Sequence, residues 1–161
     1  MIVNTDVANI VDPMNGNTPL HIASQNGHVE LIEMLINKGA QVNQRNKKGN
    51  TPFHMALAYD YYDCCVVLIN SLANIDMKNN AGIPAKKGIE GDKSLDFLAF
   101  ASAKTSSDVL EALKGMRKNA KNIAMTVTTF AQVGLKVKKE LKSEWTEEVQ
   151  NEFRALMDIL S

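Results

Sequence analysis

An all-α repeat fold is predicted by three observations. The stretch Gly16-Asn17-Thr18-Pro19-Leu20-His21-Ile22-Ala23 returns 33 residues later as Gly49-Asn50-Thr51-Pro52-Phe53-His54-Met55-Ala56, six of the eight positions being identical. The same offset carries Leu35-Ile36 onto Leu68-Ile69, Ala40 onto Ala73 and Val42 onto Ile75. Between these anchors the apolar residues fall at helical spacing, punctuated by Asn15-Gly16, Asn26-Gly27 and Lys48-Gly49. A fixed period of this size marks stacked units, each burying its apolar face on its neighbours.

Ala8-Asn9-Ile10 matches Ala73-Asn74-Ile75, so the chain is expected to open on the outgoing strand of an earlier unit. The first full unit runs from about 11 to 43. Thr18 suits an N-cap, its hydroxyl accepting from a free backbone N–H. Pro19 follows at the first helical position, where a missing N–H costs nothing. Gly27 can take the positive φ of a helix end. A second helix, from His28 to about Asn37, buries Val29, Ile32, Leu35 and Ile36. Gly39 lets the chain leave it, and Gln41-Val42-Asn43 reads as a short extended piece.

The second unit, 44–76, repeats this plan, with Asp60 and Leu72 standing where the first has Gly27 and Gly39. Neither tolerates positive φ as glycine does, so local distortion is expected there. The third unit, 77–103, is degenerate. Asn79-Asn80-Ala81-Gly82 matches the turn, but Gly88 and Gly91 weaken the helix that follows. Leu95, Leu98 and Ala99 still fit that unit's second helix. The array thus occupies residues 1–103, with a helical extension over 104–161.

In the extension, Val109, Leu113, Met116, Ala120, Ile123, Val127, Phe130, Gly134, Val137 and Leu141 alternate spacings of four and three. That seam could ride on one long helix. Gly115, Asn119, Asn122, Gly134 and the run Thr126-Val127-Thr128-Thr129 favour two instead, at about 106–118 and 127–142. The first would open at Thr105 to Asp108, with Glu111 three residues after Asp108. A last helix starts at Thr146, supported by Glu147 and Glu148, and carries Val149, Phe153, Leu156 and Leu160. An array this short needs its open end covered, and about three C-terminal helices are expected to cap it.

Composition supports a soluble globular chain, with 45% hydrophobic and 22% charged residues and equal acidic and basic counts of 18. The balance is local: 104–142 holds nine basic and three acidic residues, whereas 143–161 holds one basic and five acidic. No apolar run approaches a membrane span, and no secretory signal is visible. Cys64 and Cys65 are adjacent, a spacing that resists a disulfide, so a reducing, cytoplasmic setting is expected.

The segment NGNTPLHIASQNGHVELIEMLINKGAQVN resembles an ankyrin repeat along nearly its full length, the second unit less closely and the third least. The resemblance covers about 11–103. It implies helix–turn–helix units with short β-hairpin fingers, capping by Thr18 and Thr51, and loop-tying hydrogen bonds from His21 and His54. It further implies a protein-interaction module without catalysis. The partner-contacting positions would be Met14, Asn15, Asn17, Gln25 and Asn26 in the first unit, and Lys47, Lys48, Asn50, Ala58 and Tyr59 in the second. Tyr59 is the strongest candidate, since aromatic residues are over-represented at interface hot spots.

The residues themselves offer little reactive chemistry. His21 and His54, one per repeat, suit hydrogen bonding better than a metal, and His28 suits a surface contact better than a base. Cys64-Cys65 suits small buried hydrophobes better than a redox pair. Gly82 to Gly91 lacks the order of a phosphate loop. A faint calcium-hand rhythm at 116–130 supplies Lys118, Ala120 and Asn122 but no carboxylate. No cofactor, metal or small-molecule substrate is expected. Two alternatives stand beside the interaction module. One is a basic surface at 114–142 for nucleic acid or anionic membrane. The other is a regulatory subunit of an enzyme.

Overall fold

The computed structural model describes residues 6–120, 125–141 and 143–161. These hold α1 (Pro19–Gln25), α2 (Val29–Asn37), α3 (Pro52–Ala58), α4 (Tyr62–Asn70), α5 (Leu95–Ala101), α6 (Ser106–Lys118), α7 (Val127–Glu140) and α8 (Glu147–Leu160). The chain forms two compact units, residues 1–91 and 92–161. Among the described residues, no helix is long and apolar enough to cross a membrane.

In the first unit, the sequence builds two helix–turn–helix pairs 33 residues apart. Thr18 and Thr51 cap α1 and α3, with Pro19 and Pro52 opening each helix. α1 packs on α2 and α3, and α4 packs on α2 and α3. Leu20, Ala23 and Ile32 interlock with Phe53, Ala56 and Leu68, all fully buried. No single pair could enclose these side chains, so stacking supplies the core.

The turns after the helices keep one geometry in both repeats. His28 N–H donates to Ala23 C=O at 3.0 Å, and Tyr61 N–H to Ala56 C=O at 2.9 Å. Ala40 N–H donates to Leu35 C=O and Ala73 N–H to Leu68 C=O, both at 2.9 Å. Asp60 and Leu72 therefore adopt φ of 63° and 68°, where Gly27 and Gly39 have 75° and 89°. The distortion expected from sequence is absent; the turns hold and the strain sits on the two residues. Aspartate tolerates this region, whereas for leucine it costs about 1–2 kcal/mol.

Three extended expectations give way to turns. Val7–Asn9 is a 3-10 turn rather than a strand. Gln41-Val42-Asn43 bends, with Gln44 N–H returning to Gln41 C=O at 3.4 Å. The fingers are tight loops, closed by Asp12 N–H to Asn17 C=O, Asn46 N–H to Asn50 C=O and Asn79 N–H to Ile83 C=O, each at 2.9 Å. They are too short for a ladder, and one isolated bridge, Lys78 to Pro84, is the β pairing among the described residues. In the third repeat the first helix shrinks to a 3-10 turn, Ala85–Lys87, stopped by Gly88 at φ 75°.

In the second unit, the seam occupies two helices, α6 and α7, as the poor helix formers near 119–126 suggest. Val109, Leu113, Met116, Phe130, Gly134, Val137 and Leu141 are buried, while Ile123 lies outside the described residues. α6 is capped by Thr105, and Asp108 rather than Glu111 completes its capping box. α8 starts behind Thr146, as expected. The core is aromatic. Phe130 stacks on Phe153 at 4.5 Å between centroids, with Phe100 at 5.4 Å from Phe130 and Trp145 at 5.0 Å from Phe153. Gly134 makes this packing possible, since a Cβ there would stand 2.5 Å from the Phe153 ring.

Two substitutions separate local preference from packing. Leu72→Gly relieves left-handed strain at an exposed site, so chemical denaturation should show a gain of about 0.5–1 kcal/mol after glycine's unfolded-state entropy is subtracted. Gly134→Ala gains about 1 kcal/mol in helix propensity but forces Phe153 out of place, at a typical overpacking cost of about 1–3 kcal/mol. Its melting temperature should therefore fall; a rise would disprove the close approach.

Candidate partner-binding groove

The fingers are held in register by a buried polar relay. Thr18 N–H donates to His21 Nδ1 at 3.1 Å, and Thr51 N–H to His54 Nδ1 at 3.0 Å. Each ring's Nδ1 is thus an acceptor, which leaves the proton on Nε2. His21 Nε2–H then donates to Asn50 C=O at 2.8 Å, and His54 Nε2–H to Ile83 C=O at 2.9 Å. One helix start is thereby fastened to the finger of the next repeat, as the resemblance implies.

Asparagines run a parallel relay. Asn46 Nδ2–H donates to Asn17 Oδ1 at 2.8 Å, and Asn79 Nδ2–H to Asn50 Oδ1 at 2.9 Å. The same two residues close their own fingers. Asn46 Oδ1 accepts from Lys48 and Asn50 N–H, and Asn79 Oδ1 accepts from Ala81 and Ile83 N–H. Backbone bonds add Lys47 N–H to Asn15 C=O at 3.0 Å and Asn80 N–H to Lys48 C=O at 2.9 Å.

Between fingers and first helices lies a groove of about 500 Å³. Eight of the ten positions implied by the resemblance line it: Met14, Asn15, Asn17, Lys47, Lys48, Asn50, Ala58 and Tyr59. Gln25 and Asn26 do not; they end α1, where Asn26 Nδ2–H donates to Ile22 C=O at 2.9 Å. Of the lining residues, Asn50 is 3% exposed, its amide turned to Asn79. Lys47 reaches the Pro13 carbonyl with its ammonium. Met14 and Tyr59 are 86% and 51% exposed, and Lys48 is exposed beside them.

Asn46, Met55, Ile89 and Glu90 complete the lining and lie outside the set that the resemblance marks. Asn46 carries a legible signal, because Asn79 repeats it 33 residues on. Ile89 and Glu90 carry none, since they belong to the degenerate third repeat.

Reactive alternatives find little support. Both cysteines are free and buried. Burial, helped by Asp63, pushes the Cys64 thiol up to about 11, and burial also raises Cys65. Thiols so shifted are poor nucleophiles at neutral pH. In the basic stretch, Lys114 pairs with Glu148 at 3.2 Å and Arg117 with Glu152 at 3.1 Å, so the acidic last helix neutralises part of it.

Residues 1–79 match the family described as ankyrin repeats (3 copies). A stretch of 38 residues, 24% of this chain, is 45% identical to alpha-latrotoxin-Lt1a of Latrodectus tredecimguttatus and likewise to alpha-latrotoxin-Lg1a of Latrodectus geometricus. The chain spans only 3% of the length of either relative. Among solved structures, the ankyrin repeat domain of Bcl-3, a member of the IkappaB protein family, is similar at 26% identity with a TM-score of 0.49. That match covers 51% of this chain and 36% of the other.

The relay should make stability depend on pH. Burial holds both imidazoles below the ordinary histidine value, partly offset by the carbonyls they face. The unfolded chain therefore takes up protons first. Stability is complete above about pH 6.5 and declines as pH falls from there toward the folded-state values, by up to about 1.4 kcal/mol per unit for each histidine. Thermal melts from pH 7.5 to 5 should show this decline, and the variant His21→Gln/His54→Gln should be less stable at neutral pH with a shallower slope.

Proposed function

Because the chain is an ankyrin repeat protein over residues 1–79, we propose that it acts as an adaptor, holding a protein partner against the finger groove. Ankyrin repeats are in general protein–protein interaction modules, and the observation that carries the reading is the groove itself. A rigid, hydrogen-bonded frame presents Met14, Lys48 and Tyr59 to solvent around one concavity. Recognition there rests on shape, one aromatic anchor and a cationic edge, with no reactive group required. Tyrosine suits the anchor role, because it buries much area with few rotatable bonds. Lys48 supplies the charge more freely than Lys47, whose ammonium is engaged by Pro13. A partner segment combining an apolar side chain with a carboxylate fits this edge. The free, buried thiols agree with a reducing intracellular setting.

The reading is tested by affinity capture with the intact chain, followed by mass spectrometry. Tyr59→Ala should weaken a specific captured protein about tenfold or more, and Lys48→Glu should act in the same direction. Both side chains are exposed, so melting temperatures should stay within about 2 °C of the parent. A partner retained by both variants would overturn this use of the groove.

A further inference from the structure

A second groove, of about 300 Å³, runs between α7 and α8 in the helical unit. Its walls are apolar, with Ala131 and Leu135 on α7, Phe153 and Met157 on α8, and Trp145 from the connecting segment. Leu135 is 69% exposed although it borders a phenylalanine and a methionine. The volume lies at the lower end of small-molecule sites, which combine apolar walls with a few polar groups that fix orientation.

Those polar groups here are cationic. Lys138 on α7 and Arg154 on α8 are exposed and face the same groove. No ion pair involves either among the described residues. The contrast within α8 is informative. Glu148 and Glu152 lie on the opposite side of that helix, where they match Lys114 and Arg117 of α6. The groove side thus keeps two cations unmatched beside exposed apolar surface. The third polar member, Gln150, donates its amide to Trp145 C=O at 3.1 Å. The indole Nε1–H of Trp145 is buried without an acceptor.

We propose that this groove binds a single-chain anionic amphiphile of the fatty-acid class. The alkyl chain lies along Leu135, Phe153 and Met157, and the carboxylate sits between Lys138 and Arg154. A guanidinium accepts a carboxylate in bidentate fashion, and the ammonium adds a second charge-assisted bond. A neutral chain would leave both cations unmatched, and a cationic one would meet repulsion. The site is independent of the finger groove, and one of its two cations, Lys138, belongs to the basic stretch 114–142 read from the sequence.

Trp145 is the single tryptophan of the chain, so its fluorescence reports occupancy directly. The intact protein is titrated with decanoate below its micelle-forming concentration. A saturable change in emission is expected, with decan-1-ol and decyltrimethylammonium binding about tenfold more weakly or worse. Lys138→Glu/Arg154→Glu should lower decanoate affinity by a similar factor with an unchanged circular dichroism melt. Ala131→Phe, which fills the groove without touching charge, should abolish the response. No saturable change, equal binding of the three head groups, or a response that survives either variant would overturn the proposal. So would a response to phosphatidylglycerol vesicles but not to monomeric decanoate.

Discussion

The imidazole-to-carbonyl bond between successive repeats is the constraint on which the array depends. His21 and His54 are fully buried, and each bridges its own helix cap and the next finger. Apolar packing alone is non-directional and would let one helix pair slide against the next. The relay fixes register, because every slipped position leaves a buried donor or carbonyl unpaired, at about 1–3 kcal/mol each. Asn46 and Asn79 repeat the logic on the outer edge, closing a finger and tying it to its predecessor. The groove exists because these bonds space the fingers.

Leu72 measures how firmly that register is imposed. Its exposed side chain gains little from the fold, yet its backbone follows the path glycine takes one repeat earlier. The strain is local, whereas abandoning the turn would move Ala73 and with it the stacking of α4 on α3. Geometry set by many buried contacts overrides the preference of one residue. Tyr61 shows the same priority from the other side: its ring covers Gly27 so closely that a Cβ there would stand 2.5 Å away.

Much of this was legible because the repeat encodes it twice. The caps at Thr18 and Thr51 and the helix ends follow from residues that recur at a fixed spacing, and the histidine bridges from the family resemblance that those residues carry. The paired helices 106–118 and 127–140 were legible for a different reason, since glycine, asparagine and β-branched residues interrupt one long seam. What was not legible depends on contacts distant in sequence. The fingers look like hairpins by pattern but are too short to form a ladder, and the Lys78–Pro84 bridge is the pairing among the described residues. Asn50 has the position of a surface reader yet spends its amide on Asn79. Gly115 and Gly134 read as helix weakeners, whereas they sit where Asp96 and Phe153 press against the helix.

Gly134 also explains why the second unit carries an open apolar groove. The seam residues Phe130, Gly134, Val137 and Leu141 turn inward, and the missing side chain at 134 draws Phe153 against the α7 backbone. Residues one step along the helix cannot share that face. Ala131, Leu135 and Lys138 follow the seam positions by one residue, so they form a ridge beside the core rather than within it. Across from it, Gln150, Phe153, Arg154 and Met157 recur at helical spacing on α8. Two such ridges, brought together by one glycine, leave a trough with a hydrophobic floor and cationic rim. Its exposed leucine is thus a consequence of how tightly the neighbouring seam closes, and not a packing defect.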